Sequence, residues 1–334
     1  MSEIPIKNLY YLVLYAFNEM KRKDLLGDKN IDKTNTGSKL LIELFLVQVS
    51  KIIKNGIFKS YNTITDEALT IKGQVDIAKT FQITKPKIVM LYDEFNEDNQ
   101  YNQILKKTMH NILLSNLSVD ILQKVKRLYA MFSEVQLVND IDYNQKFNRV
   151  NEAYRFPLAL AYLINEKVIP DSSNGDYRFI DILKDNETMS NLYEAFLRNF
   201  YRIHTDYKVS SRVYKWDLIP IKDSDFNKIP IMKTDVELVK GDLKIIIDAK
   251  YSKKALDSRY ETLKFTSNNM YQIKTYLDHN RNYDNLRGIL IYPSNGYEFN
   301  EKYDFQNKYT IELATVDLSQ DWPLIENRLL EIIN

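Results

Sequence analysis

The 334-residue chain has no cysteine, so disulfides, cysteine-bound zinc and iron–sulfur centres are excluded. It has three histidines, His110, His204 and His279, too few and too scattered for a histidine-rich metal site; each reads as a surface or helix-face residue. Its eight glycines form neither a Gly-x-x-x-x-Gly-Lys-Ser/Thr phosphate loop nor a Gly-x-Gly-x-x-Gly fingerprint, so no nucleotide-binding loop is expected. There is no excess of one charge: 46 Lys and Arg against 45 Asp and Glu leave a formal +1. Autonomous DNA binders usually carry a clear basic excess. Any grip on nucleic acid must therefore come from local basic clusters or from a partner. No apolar run approaches the length of a membrane span. Leu40 to Val49 comes nearest, but Glu43 and Gln48 interrupt it and it reads as a buried helix. The start Met1-Ser2-Glu3 has no basic or apolar signal region, and a cytoplasmic protein without membrane contact is expected.

What is present fits a globular α/β chain with a substantial core, 44% hydrophobic and 27% charged. The length suggests two domains. A cluster of turn residues, Pro170-Asp171-Ser172-Ser173-Asn174-Gly175, sets the expected boundary, giving domains 1–172 and 173–334. In the first, Leu9 to Phe17, Ser38 to Lys54, Glu97 to Leu117, Val119 to Phe132 and Phe156 to Val168 read as helices. Ile57 to Thr80 alternates around Gly56 and Gly73 and suggests a small β element.

The second domain carries the chemistry. Pro230 to Leu238, the turn Lys240-Gly241-Asp242 and Lys244 to Lys250 read as a hairpin. If Gly241-Asp242 is a two-residue loop, Lys240 faces Leu243 and pairing outward sets Asp235 across from Asp248. Directly opposed residues have Cβ atoms roughly 4.5–5.5 Å apart on one face. Lys250, two residues on, shares that face. Two carboxylates this close repel unless a cation lies between them, and carboxylate oxygens suit Mg²⁺. Asp235 and Asp248 are the candidate ligands of one or two divalent ions, with Lys250 to orient water or balance charge on a phosphate. A one-residue register slip would undo the alignment. Glu237 shares the Asp235 face but lies further from the strand end, a weaker ligand candidate.

Flanking elements add candidates. Met189, Leu192, Tyr193, Phe196, Leu197 and Phe200 recur at helical spacing, with Glu194 off their stripe, either a third acidic ligand or a solvated helix face. Arg212 to Trp216 suggests a short strand. Asn269 to Leu277 reads as a helix with Gln272 and Tyr276 on one face, either lining the site or packing the helix. Arg287 to Tyr292 and Tyr309 to Val316 read as strands. Lys250, Lys253, Lys254, Arg259 and Lys264, with Arg198, Arg202 and Arg212, form either a phosphate track or a solvated face.

The order helix, acidic hairpin, helix, strand resembles the core of the PD-(D/E)XK nuclease fold, with Asp235…Asp248-Ala249-Lys250 in the place of its signature. Gln272-x-x-x-Tyr276 resembles the extra motif of RecB-like members, which helps position DNA or the metal-bound acid. The opening Ile4-Pro5-Ile6-Lys7-Asn8-Leu9-Tyr10-Tyr11-Leu12 resembles that of the McrC family. Further McrC-like phrases follow in order: Ile71-Lys72-Gly73-Gln74-Val75-Asp76, Phe95-Asn96-Glu97-Asp98, Tyr177-Arg178-Phe179, Leu192-Tyr193-Glu194-Ala195-Phe196, Tyr214-Lys215-Trp216-Asp217, Asp248-Ala249-Lys250-Tyr251 and Leu290-Ile291-Tyr292-Pro293. The resemblance spans essentially the whole chain to near Trp322. One departure is Gln74, where the family often has arginine after Lys-Gly, so a partner contact by that arginine does not carry over.

The resemblance implies a mixed α/β fold with a partner-docking domain over 1–172 and an endonuclease domain over 173–334. It implies that a McrB-like AAA+ GTPase hexamer reads the DNA, and that this chain docks on it, stimulates GTP hydrolysis and cuts double-stranded DNA carrying 5-methylcytosine. The docking contact would include Leu69 to Lys79, which fits burial in a local sheet equally well. The implied cofactor is Mg²⁺, or Mn²⁺, with no nucleotide bound by the chain itself. The implied site is Asp235, Asp248, Lys250, Gln272 and Tyr276 for catalysis, and Asp235, Asp248 and Glu194 for metal. Two rival readings are a non-catalytic activator of the GTPase ring and a stand-alone structure-specific nuclease.

Overall fold

The computed structural model describes residues 4–20, 36–84, 86–166, 168–170, 177–179, 183, 185–216, 218–219, 221, 225–251, 256–259, 262–294 and 298–334. The turn residues 171–175, and Lys253 and Lys254, lie outside this set, as do the side chains of Arg259 and Lys264. The chain forms two compact units, Ser38–Ile180 and Met1–Gly37 joined to Asp181–Asn334. This differs from the expected 1–172 domain, because the first helix, α1 (Ile6–Ala16), belongs to the C-terminal unit. Packing is the reason. Leu9, Tyr10 and Leu12 through Tyr15 are buried, and Tyr15 lies 5.6 Å from both Phe196 and Trp322 between ring centroids. Asn199 Nδ2 donates to the carbonyls of Tyr15 (2.9 Å) and Ala16 (3.0 Å), satisfying acceptors that the helix end leaves open.

In the Ser38–Ile180 unit, helix α2 (Gly37–Asn55) buries Leu40, Leu41, Ile42 and Leu44 to Leu46. Strands β1 (Ser60–Ala68) and β2 (Gln74–Val75), a one-turn helix α3 (Ile77–Thr80) and β3 (Ile88–Asn96) follow, the strands ordered β1-β3-β2. β1 alternates strictly between half-buried and exposed, the pattern of a sheet covered on one face. Gly73 has no room for a side chain, since a Cβ there would meet the Leu91 carbonyl oxygen at 2.3 Å. Helices α4 (Gln100–Leu113), α5 (Val119–Ala130) and α6 (Arg155–Glu166) match three expected helices, while β3 had no counterpart in the sequence reading. β4 (Val168–Pro170) pairs with β5 (Tyr177–Phe179).

The C-terminal unit begins with α7 (Asn186–His204), whose Met189, Leu192, Tyr193, Phe196, Leu197 and Phe200 are all buried, as their spacing predicts. β6 (Lys208–Ser210) follows, then β7 (Val213–Tyr214), which pairs with β8 (Met232–Lys233). β9 (Val236–Lys240) and β10 (Leu243–Ala249) form the hairpin. β11 (Leu256–Arg259) pairs with β12 (Thr262–Phe265), ahead of α8 (Ser267–Asp278). β13 (Asn285–Pro293), β14 (Asn300–Phe305), β15 (Tyr309–Val316) and α9 (Trp322–Ile333) complete the chain. The six-stranded sheet runs β14-β15-β13-β10-β9-β6. Its centre, β10-β13-β15, is parallel and its flanks are antiparallel. Parallel strands are covered on both faces, which explains the unbroken Ile245-Ile246-Ile247 and Ile289-Leu290-Ile291 runs. On one face Ile246, Leu290 and Leu313 pack with Ile273, Tyr276 and Leu277 of α8.

Candidate active site

The register follows the hairpin arithmetic. Gly241 adopts φ +59°, and pairing runs from Lys240↔Leu243 to Val236↔Ile247. The ladder stops there, so Asp235 sits one step beyond it and next to Asp248, which is still in β10. Asp235 Oδ2 accepts a hydrogen bond from the Ala249 N–H at 2.8 Å, bridging the strand ends. Asp248 is 1% exposed. Its Oδ2 is buried and accepts no hydrogen bond, although Lys250 Nζ lies 2.8 Å away out of hydrogen-bonding geometry.

A hydrogen-bonded chain leads away from Lys250. Its backbone N–H donates to the Ile291 carbonyl of β13 (2.9 Å), which fixes the main chain where β10 ends. Its Nζ donates to Gln272 Oε1 (2.8 Å). Gln272 Nε2 donates to the Tyr276 hydroxyl (2.9 Å), which donates to the Lys233 carbonyl (2.8 Å). Gln272 and Tyr276, which the sequence left between site and packing, both reach the carboxylate pair's surroundings, and Tyr276 also packs in the core.

Glu194 is placed differently from the other acids. Its Oε1 accepts from Arg198 Nη1 at 2.9 Å, and the same guanidinium donates to the Asp235 carbonyl at 3.2 Å. Among the described residues no three acidic or imidazole side chains converge as a metal cluster. The candidate donors are thus the Asp235 and Asp248 pair, with Glu194 near it and bonded to its i+4 arginine. Glu237, weighed as a weaker ligand, is turned into the core, with Lys244 Nζ 2.8 Å from its Oε2. The histidines are elsewhere: His204 meets Tyr15 at 2.6 Å and His279 caps α8.

Electrostatics marks the pair as strained. Burial, then the charge of Asp248 and a hydrogen bond shared between the two carboxyls, push the Asp235 pKa up to about 7, against the pull of the Ala249 N–H and Lys250. Tyr276 is also raised, by burial first and then by the negative charges of Asp248, Asp235 and Glu194. Hard oxygen donors, a buried carboxylate oxygen met only by the Lys250 ammonium, and a carboxyl whose charged form is disfavoured by burial and by its neighbour are what a divalent cation would relieve. Mg²⁺ needs only one or two protein carboxylates, because water and phosphate oxygens complete its shell.

Sequence reasoning placed Arg198 in a phosphate track or a solvated face and missed that it bridges Glu194 and the Asp235 carbonyl; it also missed the partnership of Glu237 with Lys244. The i+4 spacing of Glu194 and Arg198 was the available signal for the first.

A family model described as McrBC 5-methylcytosine restriction system component matches residues 13–293. The chain is 31% identical over 345 residues to the type IV methyl-directed restriction enzyme EcoKMcrBC of Escherichia coli strain K12, covering 99% of this chain and 97% of that protein. In fold it is similar to a chain of the Thermococcus gammatolerans assembly of McrB AAA+ hexamers with bound McrC. The TM-score is 0.54 at 15% identity, over 97% of this chain and 75% of that one.

Proposed function

The chain belongs to the McrC family of McrBC 5-methylcytosine restriction system components, and from that premise we propose that it is the Mg²⁺-dependent endonuclease subunit of such a system. The observation that carries this reading is the meeting of Asp235 with the buried Asp248 beside Lys250 where two interior strands of the sheet end. Asp235 and Asp248 would hold the cation, Mg²⁺ or Mn²⁺, which when bound polarises a phosphodiester and lowers the pKa of a water. In hydrolysis the water oxygen bonds to phosphorus and the bond from phosphorus to the departing sugar oxygen breaks. Lys250, fixed by Gln272, stands ready to balance the charge that grows on the phosphate. Tyr276 orients Gln272 so that its carbonyl oxygen faces the lysine. Glu194, whose Oε1 is held by Arg198, would be a further carboxylate beside the pair.

The same reading has the chain dock on a McrB-like AAA+ GTPase hexamer, stimulate it and act on double-stranded methylated DNA in the cytoplasm. Support for docking comes from the Ser38–Ile180 unit, where Tyr61, Leu69, Ile71, Ile77, Phe81 and Phe95 are 56–86% exposed. Clustered exposed apolar side chains mark interaction surfaces. Among the described residues no helix is long and apolar enough to cross a membrane.

The test is cleavage of methylated plasmid with Mg²⁺ by the purified chain, alone and with the GTPase partner, with and without GTP. Cutting that requires partner, GTP and methylation, abolished in Asp235→Ala while GTPase stimulation persists, is the expected result. Accelerated GTP hydrolysis with no cutting in any mixture favours the adaptor. Cutting by the chain alone favours an autonomous nuclease.

A further inference from the structure

Deeper under the same sheet face lies a second polar cluster that the chemistry above does not use. Glu237 on β9 and Lys244 on β10 are each 0% exposed and lie 2.8 Å apart. The Tyr214 hydroxyl donates to Glu237 Oε1 (2.6 Å), and Lys244 Nζ donates to Asn280 Oδ1 (2.7 Å) and to Tyr214 (3.0 Å). A buried ion pair is a poor stabiliser. Desolvation offsets its attraction, and replacing both members with apolar residues is often neutral or favourable.

Both ends of the pair lead to the site. Thr234, buried and immediately before Asp235, donates through Oγ1 to Glu237 Oε1 (3.0 Å). Thr234 is further gripped by Ser211 Oγ on its carbonyl (2.6 Å) and by the Arg212 N–H on Oγ1 (3.1 Å). This anchorage stands where the ladder has already ended. At the other end Asn280 Nδ2 donates to the Tyr276 carbonyl (2.7 Å), seizing the end of the helix that carries Gln272.

We infer that Glu237 and Lys244 are positioning residues, which set Asp235 against Asp248 and α8 against Lys250, so that cation affinity depends on the pair and the stability of the fold does not. The inference rests on the nuclease reading above.

The experiment uses the full chain as wild type, as Glu237→Leu/Lys244→Met and as Asp235→Ala, with Ca²⁺ as a non-cleaving probe. Calorimetry measures Ca²⁺ binding without DNA, and melting is followed separately. Plasmid cleavage with the GTPase partner gives the half-saturating Mg²⁺ concentration. The double variant should melt within about 3 °C of wild type or above it. Its Ca²⁺ affinity should fall about 10–100-fold, the usual cost of losing an outer-shell partner, with the Mg²⁺ midpoint rising in parallel. Glu237→Gln/Lys244→Met, which keeps an acceptor for Thr234, should fall between the two. A folded double variant with wild-type Ca²⁺ affinity and Mg²⁺ midpoint overturns the inference, as does one that unfolds, since the pair would then serve the fold. If wild type neither binds Ca²⁺ nor cuts, and Asp235→Ala behaves the same, the nuclease reading has failed and the positioning role goes with it.

Discussion

Asp235 concentrates the cost of the site in one side chain. Its pKa rises from 3.8 to about 7 on folding, through burial and the neighbouring Asp248. A carboxyl with a raised folded value binds its proton more tightly when folded. Its contribution is complete below pH 3.8 and is lost as pH climbs through about 7. Without divalent ion, Asp235→Asn should therefore melt above wild type at pH 8, by about 2–4 °C, and the gap should close towards pH 4. Adding Ca²⁺ at pH 8 should raise the wild-type melting temperature and leave Asp235→Asn unmoved; parallel melting curves across this range would refute the account. The meeting of Asp235, Asp248 and Lys250 was legible because a two-residue turn leaves no freedom of register. The partner of Glu194 lay within reach at i+4, but that of Glu237 did not, because a sequence shows that a charge exists and not which counter-charge the fold delivers to it.

The elements that carry the site were read from their periodicity. The helical stripe on α7 and the face shared by Gln272 and Tyr276 on α8 reflect burial on one side, and the apolar runs of β10 and β13 reflect burial on both. β14 escaped because it is an edge strand whose residues are almost all exposed, so no alternation marks it. α9 had signals that went unused: Asp321 ahead of Pro323, then Ile325, Leu329 and Ile332 on one face. β13 also carries a close approach of helix to sheet. A Cβ on Gly288 would lie 2.7 Å from Leu277 Cδ1 and 2.8 Å from Ile273 Cγ1, both on α8. Gly288→Ala should thus destabilise the protein by about 1–3 kcal/mol, as overpacking does. Because it lifts the helix that holds Gln272, it should slow cleavage more than a surface change of equal stability cost. Chemical denaturation and cleavage rates on the same preparations check both.

At the scale of the whole molecule, the chain returns to its beginning to finish the C-terminal unit. Asn8 Nδ2 donates to the carbonyls of Leu318 (2.8 Å) and Gln320 (2.7 Å), more than 300 residues away. Tyr11 stacks on Trp322 with ring centroids 4.7 Å apart. No local pattern announces such a partnership, although burial of Asn8, Tyr10 and Leu14 as well as the main stripe belongs to a helix enclosed nearly all round. A fragment of residues 181–334 should consequently lack a cooperative melting transition and regain one when a peptide of residues 4–20 is supplied. A cooperative transition in the fragment alone would show that α1 is dispensable.

The placement of α1 also orders events during synthesis. Roughly 300 residues separate it from α9, and at about 5–20 residues per second a ribosome needs roughly 15–60 s to make them. The first helix meets α7 only once residue 204 has been made and α9 only at the end of that interval, and by then the Ser38–Ile180 unit is complete. The first segment of the chain to be synthesised is thus among the last to be fully packed, because Leu318, Gln320 and Trp322 close over it only at the end.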